Sequence, residues 1–193
     1  MEETLLKLYL VRHTTPLFEA GTCYGQTDID VANSFVDECK RLRQKIAGIS
    51  FDAVFSSPLQ RCGKLAIAMQ LGPVQFDTRI QELNFGDWEM QKWSLIKSDE
   101  FEVWSHNYAQ LAPPNGETFT ELHTRSTEFI SDLKHKYMGK NIAVFSHGGV
   151  IRAMLAEVLN MPLKGLFRFT VDYASVTLLD FSGKVPNIGY MNR

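Results

Sequence analysis

The sequence has no apolar run longer than about five residues, far short of the ~20 that a bilayer-spanning helix requires. Cysteine is scarce as well: Cys23, Cys39 and Cys62 are odd in number, widely spaced and without a CxxC pair. A disulfide framework asks for an even count and a zinc site for closer clustering, so three idle thiols in a reducing cytoplasm are expected. Neither charge sign is in excess, with 20 Lys and Arg against 22 Asp and Glu for a net −2. Such a chain has no global attraction to nucleic acid or to an anionic membrane, and any anion site must be built locally. The opening Met1–Val11 begins with acids rather than a basic region, so a secretory signal is not expected.

What is present is a globular composition, 45% hydrophobic and 22% charged. A length of 193 residues, against about 150 per domain, favours one domain with an elaboration. Leu8–Val11, Ala53–Phe55 and Ile142–Phe145 are short continuous apolar runs, as expected of strands covered on both faces. Val74–Phe76 reads as a short strand and Ser175–Phe181 as a late one, a candidate edge strand for pairing across a homodimer. Helical patterns lie between them near 32–48, 58–71, 118–138 and 149–160, and Thr118 with Glu121 reads as a capping box. The alternation predicts an α/β fold, a mostly parallel central sheet with helices on both faces. The stretch from about 83 to 117 interrupts it, holding Trp88, Trp93 and Trp104, and reads as a small helical insertion over one end of the sheet.

Ligands of open parallel sheets collect at the carboxyl ends of strands. Arg12-His13-Thr14 follows the first run, Ser56-Ser57-Pro58 and then Arg61 the second, and Ser146-His147-Gly148-Gly149 the third. Each has an ordinary alternative: His13 as a capped strand-end histidine, Arg12 as a surface cation, Arg61 as a solvated helix-start arginine. Ser57 as an N-cap and Pro58 as first helical residue place Arg61 in a first turn, beside free backbone N–H groups. The glycines after His147 allow close backbone approach to a ligand. Four such residues converging on one edge suit phosphoryl transfer, with a neutral imidazole as nucleophile and cations for the equatorial oxygens. Glu82, after the short strand, is the natural proton donor; acting as an acid near neutrality requires a pKa raised by burial or by a phosphate dianion. A surface loop glutamate is the alternative.

Leu10-Val-Arg-His13, Ser56-Ser-Pro-Leu-Gln-Arg61, Gln81-Glu-Leu-Asn-Phe-Gly-Asp-Trp-Glu89 and Ser146-His-Gly-Gly-Val-Ile-Arg152 resemble the successive motifs of the histidine phosphatase superfamily, the phosphoglycerate-mutase-like fold. The resemblance implies a single such domain over 1–193, His13 as the phosphorylated nucleophile, and Glu82 as acid then base. It further implies Arg12, Arg61 and His147 as the phosphate pocket, with no metal and no cofactor. Many members have glycine after the first histidine, where this chain has Thr14. Arg12-His-Thr-Thr-Pro16 with Gly21-Thr-Cys-Tyr-Gly-Gln-Thr-Asp28 is similar to the branch containing α-ribazole-5′-phosphate phosphatases. Thr14, Tyr24 and Thr27 then offer hydroxyls to phosphate or ribose, and Gly25 and Gly148 a close backbone approach, unless the first four only shape a turn on the pocket rim.

The three tryptophans either wall a pocket for an apolar base or form the core of a cap. Glu117 faces the pocket or favours the dipole of the long helix. His106, His123 and His135 show no metal spacing and receive no role, and Cys23 lies near the expected pocket. The expected activity is a metal-independent phosphomonoesterase, with α-ribazole 5′-phosphate as preferred substrate and a broader small-molecule phosphatase as the alternative. A mutase is disfavoured, because the insertion carries only Lys92 and Lys97 as cations, with Asp87, Glu89, Asp99, Glu100 and Glu102 beside them. A silent phospholigand binder has no need of both a nucleophile and a proton donor.

Overall fold

Side-chain alternation along the first strand divides the molecule into two cores. The computed structural model describes residues 6–193, and the acidic opening Met1–Leu5 lies outside them. In β1 (Lys7–Arg12), Leu8 and Leu10 enter one core while Tyr9 and Val11 enter the other. β4 (Asn141–Ser146) repeats this, sending Ile142 and Val144 one way and Ala143 and Phe145 the other. Strands with period two and both faces buried must read as continuous apolar runs, which is why these two were visible in sequence.

The sheet has six strands in the order β3-β2-β4-β1-β5-β6. β2 (Ala53–Ser56) pairs in parallel with β4 and with β3 (Val74–Phe76), and β4 pairs in parallel with β1. β5 (Val176–Asp180) runs antiparallel beside β1, and β6 (Asn187–Tyr190) antiparallel beside β5. The expectation of 175–181 as an edge strand is therefore corrected. The apolar character of β5 comes from lying between two strands, and the short, half-polar β6 takes the edge. Beyond β6 the backbones of Arg193 and Val176 exchange both hydrogen bonds.

Helices α1 (Phe35–Lys45) and α2 (Gln60–Met69) pack into one core; α4 (Phe119–Lys136) and α5 (Gly148–Val158) pack into the other. The capping box of Thr118 and Glu121 starts α4 as the sequence indicates. α2 departs from expectation, since its N-cap is Leu59 and not Ser57. The Ser57 hydroxyl does accept the Leu59 N–H at 3.3 Å, but it also lies against His147, and the helix begins later.

The 83–117 insertion contains one α-helix, α3 (Ser98–Asn107), with 3-10 turns at Gly86–Trp88 and Trp93–Leu95. Trp88 and Trp104 are buried edge to face at 5.4 Å, so they form the core of this cap. Trp93 is half-buried and packs at 5.4 Å against Phe85. Among the described residues no helix is long and apolar enough to cross a membrane.

Candidate active site

The parallel strands β1, β2 and β4 end side by side, and their next residues are Arg12-His13, Ser56-Ser57 and Ser146-His147. His13 is 1% exposed, its backbone N–H donating to Ser146 O at 3.0 Å and its carbonyl accepting the Ala174 N–H. Its Nδ1 stands 2.7 Å from the Thr14 carbonyl. A carbonyl only accepts, so Nδ1 carries the proton and Nε2 keeps its lone pair. Burial first, then Arg61 and Arg12, hold the His13 pKa well below the usual value, against a smaller opposing pull from the Thr14 carbonyl. The ring is neutral at pH 7.

His147 caps α5 and lies 5.2 Å, ring to ring, from His13. Its Nε2 is 2.8 Å from Ser57 Oγ and 3.4 Å from Cys62 Sγ. It too is held well below the ordinary pKa, by burial and then by Arg61. Burial also pushes the Cys62 thiol up, so it remains protonated.

Arg61 is fully buried on the first turn of α2, with Nη1 donating to Thr27 O at 2.9 Å and Nη2 to Gly25 O. Arg12 donates to Val171 O and stacks on Tyr173, its guanidinium carbon 4.0 Å from the ring centroid. After these bonds Arg12 Nε, Arg61 Nε and Thr14 Oγ1 remain buried without a partner among the described residues. Unsatisfied buried donors each cost about 1–3 kcal/mol, more when charged. Such a cluster is shaped for an anion rich in acceptor oxygens.

Glu82 approaches from the cap side. Its carboxylate accepts the Leu83 N–H at 3.0 Å and the Gly149 N–H at 3.1 Å, and its carbonyl accepts from Arg125. A cavity of about 160 Å³ opens here, lined by Arg12, Tyr24, Glu82, Gly149, Arg152 and aromatic side chains that include Trp93. Among the described residues no three His, Cys, Asp or Glu side chains are grouped to hold a metal ion.

The profile of the histidine phosphatase superfamily, branch 1, matches residues 8–193. The chain belongs to that superfamily. It is similar to the adenosylcobalamin/alpha-ribazole phosphatase of Escherichia coli, 28% identical over 97% of this chain and 96% of that one. It also resembles phosphoserine phosphatase 1 of Hydrogenobacter thermophilus, 26% identical over 91% and 86% of the two chains. The solved alpha-ribazole phosphatase of Shigella flexneri superposes with a TM-score of 0.86 at 26% identity, covering 97% and 96% of the two chains. Family and relatives together make it a phosphatase.

This histidine phosphatase brings Arg12, His13, Arg61, Glu82 and His147 into one site, but several side chains serve differently from expectation. Tyr24 lines the cavity with its hydroxyl 2.6 Å from that of Tyr173. Thr27 spends its hydroxyl on Glu89. Gly25 is glycine because a Cβ would lie 2.0 Å from the Leu83 carbonyl, a backbone crossing rather than a ligand approach. At Gly148 a Cβ would meet Arg152 at 2.9 Å and Arg12 at 3.3 Å, so the protein's own arginines fill that space. Glu117 pairs with Arg125 at 2.6 Å and accepts the Asn84 N–H, so it braces the Glu82 segment.

Sequence reasoning assigned no role to Arg152, Tyr173 or Glu89, and read Ser57 only as a helix cap. Arg152 had a usable signal, since it lies four residues after Gly148 on one helix face. Tyr173 had none, arriving from a loop without a motif.

Proposed function

We propose that this phosphatase hydrolyses small phosphomonoesters through a phosphohistidine at His13, and that its substrate is α-ribazole 5′-phosphate. The observation that carries the mechanism is the buried Arg12 Nε, Arg61 Nε and Thr14 Oγ1, unpartnered among the described residues, around a histidine whose Nδ1 is tied to a carbonyl. A phosphoryl group supplies the missing acceptors. His13 Nε2 attacks phosphorus and the ester P–O bond breaks, while protonated Glu82 gives its proton to the departing alkoxide. Water then attacks the phosphohistidine, Glu82 takes a proton from that water, and His13 Nε2 leaves with its lone pair restored. Arg12, Arg61 and a neutral His147 hold the equatorial oxygens in both steps.

The relatives named for alpha-ribazole support the substrate. So does a cavity with Tyr24, Phe85, Trp93, Phe119 and Phe167 among its walls. The test is phosphate release from α-ribazole 5′-phosphate with chelator present, beside rapid-quench trapping of an acid-labile, base-stable phosphoenzyme. Turnover and trapped phosphate that both vanish in His13→Ala support the mechanism. Turnover that survives the substitution removes it, and equal rates on unrelated esters remove the specific substrate.

A further inference from the structure

Arg12 and Arg61 each lie against a tyrosine. The Arg12 guanidinium carbon is 4.0 Å from the Tyr173 ring centroid, and that of Arg61 is 5.4 Å from the Tyr24 centroid. Both distances fall within the reach of a cation–π attraction. The two tyrosines meet hydroxyl to hydroxyl at 2.6 Å, although 149 residues separate them in sequence. A continuous path of contacts thus runs Arg12–Tyr173–Tyr24–Arg61.

The loops that carry these tyrosines also hold the same arginines by their backbones. Val171 O accepts from Arg12, and Gly25 O and Thr27 O accept from Arg61. Residues 21–28 are anchored on the cap, the Cys23 N–H donating to Gln91 O at 2.8 Å and the Gln26 N–H to Glu89 at 2.8 Å. Residues 169–175 are anchored on the sheet instead. There the Ala174 N–H donates to His13 O at 3.1 Å, and Ser175 O accepts the Arg12 N–H at 3.1 Å. Among the described residues the tyrosine bond is the only hydrogen bond between the two loops. It joins a cap-held arginine to a sheet-held one.

We propose that Tyr24 and Tyr173 are positioning residues whose hydroxyl bond sets the spacing of the Arg12 and Arg61 guanidinium groups for a phosphoryl group. The proposal rests on the phosphohistidine reading, because it takes the two arginines as the grip on the ester's phosphate. Two guanidinium groups converging on His13 repel each other, so before an anion arrives their separation depends on what holds them. Neither Nε has a partner among the described residues, so neither is fixed by a bond of its own. The rings take up the two cations, and the hydroxyl bond fixes one ring against the other. Donors held in place before charge develops need no reorganisation during the reaction.

The experiment titrates inorganic phosphate calorimetrically into wild type, Tyr24→Phe, Tyr173→Phe and the double variant. Phenylalanine keeps both rings against the arginines and removes only the hydroxyl bond. Each single variant should bind phosphate about three- to tenfold more weakly, the worth of one hydrogen bond. The double variant should lose no more than either single one, since all three break the same bond. With p-nitrophenyl phosphate as substrate the loss should fall on KM and leave kcat little changed, because the bonds of His13 and Glu82 stay in place. Wild-type affinity in both single variants overturns the proposal. So does a loss in Tyr24→Phe alone, which would mean that its hydroxyl touches the phosphate directly, and so do losses that add in the double variant. A fall confined to kcat, or one matched by loss of the far-UV dichroism of the fold, overturns it as well. Wild type that binds no phosphate removes the arginine grip and the proposal with it. If it also fails to hydrolyse the ester, the phosphohistidine reading falls too.

Discussion

Glu89 holds the loop that holds Arg61. Its carboxylate accepts the N–H groups of Gln26, Thr27 and Phe85, and the carbonyls of Gly25 and Thr27 accept from the two ends of the buried guanidinium. The three backbone bonds and the Thr27 hydroxyl draw the Glu89 pKa down against the cost of its burial. An acid in the cap thereby orients the buried Arg61 guanidinium at the sheet edge.

Glu89→Ala should therefore act at a distance. With several backbone donors released and Arg61 free to reorient, kcat/KM should fall about tenfold or more, mainly through KM. Steady-state kinetics beside far-UV circular dichroism checks this. A variant with wild-type KM would show that Arg61 holds its orientation without the loop.

Gly149 sits where Glu82 ends, and a Cβ there would lie 2.3 Å from the Glu82 carboxylate. Gly149→Ala should push the carboxylate off its backbone donors and lower kcat by about 10²-fold, the usual worth of a positioned acid or base. KM should change little, since Arg12 and Arg61 are undisturbed. The check is the kcat-to-KM split. A loss confined to KM would place the carboxylate outside the proton-transfer step.

His13 and His147 are both buried and held below their unfolded pKa near 6.5. Below about pH 6.5 the unfolded chain binds protons that the fold refuses. Their share of stability is thus intact above that pH and declines as pH falls toward the folded values. The decline is at most about 1.4 kcal/mol per pH unit for each histidine. Urea unfolding at about pH 7 and pH 5 should show the loss, and His147→Gln should lose less between the same two points. A wild type equally stable at both would mean that the imidazoles charge freely inside the fold.

Legibility in the sequence followed the physics of each element. Strands buried on both faces and helices with capping residues left local marks, and polar residues at strand ends marked the site edge. Arg12, His13, Arg61 and His147 were thus visible together. Ser57 misled because a hydroxyl suited to an N-cap is equally suited to a histidine ring nitrogen, and only the fold shows the second contact. Gly25 and Gly148 were legible as glycines, but their reasons lie in the folded packing, the distant Leu83 backbone at Gly25 and the side chains of Arg152 and Arg12 at Gly148. Tyr173 and β6 left no mark, because their roles come from neighbours more than a hundred residues away or from pairing at a sheet edge.

The chain's three indoles, Trp88, Trp93 and Trp104, all belong to the 83–117 segment, and the sheet carries none. Light excited selectively in tryptophan therefore samples one region of the molecule. An emission trace of unfolding records the loosening of the cap, and the sheet melts unseen unless a second signal such as far-UV dichroism is followed beside it. Transitions that coincide would show cap and sheet giving way together, whereas an earlier emission change would give the covering of the catalytic cavity its own melting point.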